Sequence, residues 1–564
     1  MSCYAYLFET RSIQRFLFAT GKLKDMLSGS ELIDFICAKD GYVDYVLGVL
    51  DLSQKVQKPR QAGGAFYLIF ENETDARRFQ HIWRLLSSQW LPSIERVDAL
   101  SVGDTAKEAI SRGIKQLAAA RNQIQVELPV ATPITQRSPR TGLAAVGTEY
   151  HAGGRESIDA ATNVIRHFKR PNGSESLTDR FLKQKQDFHW PNNFEVDAKE
   201  DRRFPLGKRS LVGLIHADGN GLGEILRLLA DACRNADDKT YIRLYQTFSE
   251  GVTTATIEAT RQATEAVLVP QAQHNVIPAR PLVLGGDDLS VIIRADLAVE
   301  YTQCFLKAFK QTSQVQMAKL KEAFNASHLN EDAKKLPDFL TACAGIVFMK
   351  ASQPFYSAYA LAESLCSQAK KYSRQFKTEN SQKLSIIPSS LAFYKINQSI
   401  MDDVDSLYEQ TQIAYHGEQQ YHLSSRAYLV DLVNEQDLQP VEIVYLEDLL
   451  QLERFMQDST LNDRTLREIA TLIHVNLAQA KQSYSRWKSY ANQQQQDTEP
   501  LTRDIVQFEQ QLKKILGPLA EDLPFSQVNG TEHFNSIIGD LLTLFTIADE
   551  QYAKKVVQVV EKKA

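Results

Sequence analysis

Leu-Val-Gly-Leu-Ile-His (211–216) is an apolar run that stops at Ala-Asp-Gly-Asn-Gly-Leu-Gly (217–223) and then turns helical in period. This is the pattern of a buried strand, a tight turn and a helix. Working outward, residues 281–284 and 289–293 are two β-type runs separated by Gly285-Gly286-Asp287-Asp288, a composition that predicts a hairpin. Residues 295–324 read as a helix and 339–349 as a further buried strand. Residues 354–375 read as an amphipathic helix opened by a proline, and 391–396 as a strand that closes the sheet.

The order βαββαβ is that of a ferredoxin-like unit, and it places the chain in the α+β class. The N-terminal residues repeat it in shorter form: strand at 4–8, helix at 13–38, strand at 65–70, helix at 73–91. Between 126 and 208 the periodicity fades and Pro129, Pro133, Pro139, Gly153, Gly154, Pro171, Gly173, Pro191 and Pro205 punctuate the chain, which predicts an irregular connector. After Ser399 amphipathic helices dominate, with candidates at 441–456, 466–490, 503–516 and 534–560, and Gln493 to Gln496 reads as a polar interhelical loop. The expected organisation is a first α+β unit at 1–125, a connector at 126–208, a second unit at 209–398 and a helical bundle at 399–564.

The 564 residues are enough for several domains, each with its own core. Hydrophobic residues at 43% and charged residues at 24% are globular values. The net charge of −5 provides no bulk positive field, so any nucleic acid contact must use a local groove. Cys3, Cys37, Cys233, Cys304, Cys343 and Cys366 form no C-x-x-C pair, which argues against a zinc site or a disulfide framework. With no secretory leader and no membrane-spanning run, the expected location is the cytoplasm.

Asp218 ends a predicted strand, and Asp287 and Asp288 cap a hairpin of the same predicted sheet, so the three carboxylates are expected to converge. Carboxylates brought together repel one another unless a cation joins them, and Mg²⁺, or Mn²⁺, is the hard ion for an all-oxygen site. Such a site suits nucleotidyl transfer. Gly285 and Gly286, like Gly219, Gly221 and Gly223, let backbone approach a triphosphate closely. Taken singly, each motif also reads as an ordinary turn, since Asp-Gly and Gly-Asp are favoured turn dipeptides. His216 is read as a packed or hydrogen-bonded strand-end histidine.

The sequence resembles the large polymerase/cyclase-like subunit of type III CRISPR effector complexes. The resemblance rests on His216 to Gly223, on Gly285-Gly286-Asp287-Asp288, and on Ala344-Gly345-Ile346, Pro354, Ala362-Glu363 and Ala369-Lys370-Lys371 in that order. Ser12-Ile13-Gln14-Arg15-Phe16, Lys24-Asp25 and Gly29-Ser30, with Gly63-Gly64 at the hairpin turn, resemble the family's first palm domain. The resemblance implies two palm domains and synthesis of cyclic oligoadenylate messengers from ATP in antiviral defence. It also implies a metal site at Asp218, Asp287 and Asp288, with Lys370 on the triphosphate and Gly29 and Ser30 on the first-palm side of a nucleotide pocket. The partners it implies are other effector-complex subunits and guide or target RNA.

Departures from the family pattern matter too. Ala62-Gly63-Gly64-Ala65 has no acids, so the first palm is expected to be non-catalytic. Asn220 stands where the family often has a second acid and is a weaker metal ligand. There is no His-Asp dipeptide and no domain before Tyr4, so the family's nuclease is expected to be missing, and the connector lacks the cysteines of a zinc element. Two other readings stand beside the leading one: a stand-alone cyclase making a cyclic mono- or dinucleotide, and a nucleotide-sensing or RNA-binding scaffold without turnover.

Overall fold

A computed structural model describes residues 2–123, 132–151, 154–171, 175–182, 188–192, 194, 204–377, 383–396, 403–431, 443–461, 463–492, 500–528 and 530–548. The first unit runs β1 (Cys3–Arg11), α1 (Ile13–Phe18), α2 (Leu23–Cys37), α3 (Tyr42–Val49), β2 (Gln57–Ala62), β3 (Ala65–Phe70), α4 (Glu73–Trp90), β4 (Glu95–Gly103) and α5 (Ala106–Arg121). Its antiparallel sheet has the order β2-β3-β1-β4. All six residues of β3 are buried, because helices cover both faces of the sheet. Tyr6, Phe8 and Phe66 pack with Phe79 and Trp83 of α4, and Ala5 and Leu7 with Ala109 and Ile110 of α5.

The strand-helix-strand-helix reading of this unit therefore misses two strands. β2, Gln-Lys-Pro-Arg-Gln-Ala, is polar and carries Pro59, which is tolerated because the strand lies at the sheet edge. β4 is the opposite edge and alternates in burial, a weaker signal than a continuous apolar run. The connector is also more ordered than expected. Its described residues hold a ribbon of β5 (Ala145–His151) and β6 (Gly154–Asp159), then α6 (Ala160–His167) and α7 (Leu177–Phe181). Charge pairs onto α2 fix it: Arg166 with Asp25 at 2.8 Å, Arg170 with Glu31 at 3.1 Å and Arg180 with Asp34 at 2.7 Å. Hydrophobic periodicity cannot register such pairs.

The second unit runs β7 (Leu211–Gly219), α8 (Leu222–Ala232), α9 (Asp238–Ala263), β8 (Ala279–Gly285), β9 (Asp288–Arg294), α10 (Ala295–Ala326), α11 (Asn330–Lys335), β10 (Ala342–Lys350), α12 (Phe355–Ser373) and β11 (Ser390–Lys395). α13 (Val404–Thr411), β12 (Ile413–His416), β13 (Gln419–His422) and β14 (Tyr428–Leu429) follow. The sheet order is β14-β11-β10-β7-β9-β8. Its β10-β7-β9-β8 portion repeats the β4-β1-β3-β2 arrangement of the first unit, and β11 adds in parallel beside β10.

Two glycines let helices settle on this sheet. A Cβ at Gly213 would lie 2.6 Å from Ala298 Cβ of α10, and one at Gly345 would lie 2.1 Å from the Ala362 carbonyl of α12. The two units meet at their hairpins. A Cβ at Gly285 would lie 3.2 Å from Gly63 Cα, so the turns touch backbone to backbone.

The C-terminal region holds α14 (Leu446–Asp458), α15 (Arg464–Val475), α16 (Leu477–Asn492), α17 (Pro500–Leu516), β15 (Ser526–Gln527), β16 (His533–Asn535) and α18 (Ile538–Ile547). The helix expected at 466–490 is split at Asn476, whose backbone is extended. A small sheet, β12-β13-β16-β15, is threaded among the helices. Its strands are two to four residues long, too short to show a period. The glutamine tract 493–496 and residues 549–560 of the last expected helix lie outside the described residues. No helix among the described residues is long and apolar enough to cross a membrane.

Candidate active site

β7 delivers Asp218 at its C-terminal end, and the β8–β9 turn delivers Asp287 and Asp288. Gly285 pairs with Asp288 around the two-residue loop Gly286-Asp287, and Gly286 takes φ +62° at the first loop position, which glycine serves best. His216 opposes Ser290 and Ala217 opposes Leu289, which sets Asp218 beside Asp288. Carboxylate oxygens of Asp218, Asp287 and Asp288 lie within 4.8 Å of one another. Two further contacts fix the turn: Thr256 of α9 donates to the Gly286 carbonyl at 2.8 Å, and a Cβ at Gly219 would lie 3.0 Å from Asp287 Cβ.

The electrostatics are those of crowded anions with one cation. Lys370 of α12 donates to Asp218, and to the Gly219 carbonyl at 2.9 Å. Burial pushes the Asp218 carboxyl up, but the Lys370 charge together with the hydrogen bonds from Asp287 and Lys370 outweighs it and leaves the group below the usual carboxylate range. Burial and then the Asp218 charge push Asp287 up to about 7, and burial with its two neighbours pushes Asp288 well above its ordinary value. Burial pushes Lys370 down, and Asp218 more than restores it. The donor set is three hard oxygens sharing too little positive charge, which fits a divalent cation such as Mg²⁺.

Every carboxylate named from the sequence thus comes to one place, with Lys370, Gly219, Gly285 and Gly286 around it. Gly221 caps the N-terminus of α8 at φ +73°. Gly29 and Ser30 lie elsewhere: a Cβ at Gly29 would meet Leu17 and Ile165, and the buried Ser30 hydroxyl donates to the Leu282 carbonyl of β8. Asn220 turns away from the acids: its Nδ2 donates to Thr341 Oγ1 at 3.1 Å and to Cys343 Sγ at 3.4 Å.

Sequence reading missed a polar chain beside the acids. His216 Nδ1 lies 3.1 Å from Ser290 Oγ and 3.2 Å from the Tyr359 hydroxyl, which are themselves 3.0 Å apart. Burial pushes His216 down to about 4, so the ring is neutral at neutral pH. Tyr359 also bonds Gln14, whose Nε2 donates to Glu363 Oε1 at 2.7 Å, so the chain crosses from α12 to α1 of the first unit. The signal was strand alternation: His216 and Ser290 stand two residues from Asp218 and Asp288, on the same sheet face. A separate cleft of about 770 Å³ opens between β2 and α9, lined by Lys58, Gln61, Arg243 and Gln246, and none of the three carboxylates lines it.

Residues 211–377, the segment that holds all these groups, match the family model of the Cas10/Cmr2 second palm domain. This segment is a Cas10-type palm. Similar solved structures include a Csm1–Csm4 cassette in complex with cA3, at 16% identity over 67% of this chain and 55% of that chain, TM-score 0.36. A Csm1–Csm4 cassette in complex with AMPPNP matches at 16% identity over 66% of this chain and 53% of that chain, TM-score 0.35. Csm1 of T. onnurineus matches at 14% identity over 91% of this chain and 69% of that chain, TM-score 0.38. The chain spans about half the length of the two cassette chains. No curated protein matches the sequence.

Proposed function

We propose that the protein is a Mg²⁺-dependent nucleotidyltransferase that builds cyclic oligoadenylate-type messengers from ATP, with the Cas10-type palm as its catalytic half. The observation that carries this reading is the convergence of Asp218, Asp287 and Asp288 beside Lys370. In the reaction a 3′-hydroxyl oxygen bonds to the α-phosphorus of a second ATP, the bond to pyrophosphate breaks, and the hydroxyl proton is released. Mg²⁺ held by the three carboxylates would neutralise the triphosphate and favour the ionised hydroxyl. The chain's own residues do the positioning. Lys370 supplies a point charge next to Asp218 for an entering phosphate, and Gly286, with no heavy atom within 4 Å of its Cβ position, leaves room for it. Thr256 keeps the turn from yielding as charge builds.

By the same reading the first unit is a second, non-catalytic palm, and the partners are other effector-complex subunits and RNA. The test is mass spectrometry of products after incubation with the four ribonucleoside triphosphates and Mg²⁺ or Mn²⁺, beside Asp287→Ala/Asp288→Ala. A cyclic or linear oligoadenylate made only by the parent protein supports the reading. If parent protein supplied with its RNA and subunit partners gives no product, a sensor or scaffold takes its place.

A further inference from the structure

α12 has two polar faces. On one, Tyr359, Glu363 and Lys370 bond His216, Gln14 and Asp218. On another, Ser364, Ser367, Gln368, Lys371 and Gln375 recur at helical spacing and wall a cavity of about 440 Å³. Its opposite wall is the first turn of α13, at Asp403 and Asp405, and the bend Ser425-Arg426-Ala427 before β14. None of Asp218, Asp287, Asp288 and Lys370 lines it. Arg426 is the strained point of that wall: its φ is +66°, and the other non-glycine residues described at positive φ are all shorter Ser, Asp, Asn or His. Three hydrogen bonds hold it there. The Arg426 N–H donates to Ser424 Oγ at 2.9 Å, the Ser425 N–H to Asp540 of α18 at 3.0 Å, and Ser425 Oγ to the Ala427 carbonyl at 3.0 Å. Backbone strain kept up by such bonds marks sites more than packing.

Along the α12 wall polar capacity is unspent. Gln368 Oε1 is buried without a partner, and Lys371 has no ion pair among the described residues. The acids are committed instead: both oxygens of Asp403 cap α13 through Ser406, and Asp405 lies 3.8 Å from Arg426. What remains is two cations beside hydroxyls and amides. A phosphate takes charge-assisted hydrogen bonds from Lys and Arg, and sugar hydroxyls both donate to and accept from Ser and Gln. The volume is that of a small-molecule site. We propose that this cavity binds a phosphorylated sugar, free or as part of a nucleotide, with the phosphate on Lys371 and Arg426 and the hydroxyls along Ser364, Ser367 and Gln368. The ligand lies between the helix that carries Lys370 and the bend pinned to α18.

The test is calorimetric binding of ribose 5-phosphate, AMP, inorganic phosphate and ribose to the full chain in EDTA, so that no metal loads the carboxylates. The parent is compared with Lys371→Gln, with Arg426→Gly and, as a control, with Asp287→Ala/Asp288→Ala. The parent is expected to bind ribose 5-phosphate at least about tenfold more tightly than inorganic phosphate or ribose. AMP bound more tightly than ribose 5-phosphate identifies a nucleotide as the occupant, and AMP bound equally or less tightly identifies a free sugar phosphate. Lys371→Gln and Arg426→Gly should each weaken ribose 5-phosphate about tenfold or more, while the control binds as the parent does. Glycine is at ease at φ +66°, so Arg426→Gly keeps the bend, and Lys371 is exposed; melting curves matching the parent's check both. A parent that binds neither ribose 5-phosphate nor AMP overturns the site, and so does a parent with no preference over inorganic phosphate. Affinity unchanged in Lys371→Gln or in Arg426→Gly overturns it as well. Binding altered in the control also does so, since the ligand then sits with Asp287 and Asp288.

Discussion

The two palms close their central hairpins with two-residue loops, Gly63-Gly64 in the first and Gly286-Asp287 in the second, and the strands on either side keep the same register. Ala65 of the first therefore stands where Asp288 stands in the second. Its partner on β1 is Glu9, at the position that Asp218 holds on β7. Glu9 is paired with Arg121 at the end of α5, just as Asp218 is paired with Lys370 near the end of α12, each helix following the fourth strand of its palm. Tyr67 also donates to Glu9, at 3.4 Å. One frame thus carries two electrostatic outcomes. A lone carboxylate with its own cation and a hydroxyl is neutralised within the protein, whereas three carboxylates sharing one lysine leave charge for a metal ion.

The largest way to break this comparison is at the acids. Asp287→Ala or Asp288→Ala should lower oligoadenylate formation at least about 10³-fold, while Glu9→Gln should leave it at the parent level, both read by product mass spectrometry. Next is the cation. Lys370→Ala should cost about 10²-fold in turnover and Lys370→Arg less, in steady-state assays. Gly345→Ala should follow, since its Cβ collides with the Ala362 carbonyl and lifts α12 with Lys370. A lower melting temperature, a destabilisation of about 1–3 kcal/mol, and a roughly tenfold loss of turnover are expected.

A pH series sharpens the comparison further. Burial and the neighbouring charge push Asp287 up to about 7 and Asp288 well above its ordinary value, and both must be ionised to bind a metal, so Mn²⁺ affinity by calorimetry should fall by about tenfold or more per pH unit as the pH is lowered through 7. The smallest effect belongs to the first palm. Arg121→Ala breaks a pair that is half-exposed at Arg121 and buried at Glu9, and should cost about 1–2 kcal/mol in a melting curve, with product formation unchanged.

How much of this was legible in the sequence differs between the palms for a physical reason. In the second, long apolar strands ending in Asp and Gly announced both the sheet and the site, and the structure brings those acids together. In the first, β2 is an edge strand made of polar residues, so nothing apolar marked it, and the match between Glu9 and Asp218 appears only once the register is known. The hydrogen bond between Gln14 and Glu363 was equally hidden: 349 residues separate its ends, and no local period reports a contact between palms. Asn220 could be recognised as a departure, but not that it faces Thr341 and Cys343.

The contact between Gly63 and Gly285 has a mechanical consequence. Backbone atoms already at van der Waals distance cannot be pressed closer, so the two turns act as the bearing of a joint. Pressure on the first palm toward this joint is transmitted without slack to the loop that carries Asp287. A partner leaning on the first unit would thus work the turn that carries Asp287 as a lever works against its fulcrum.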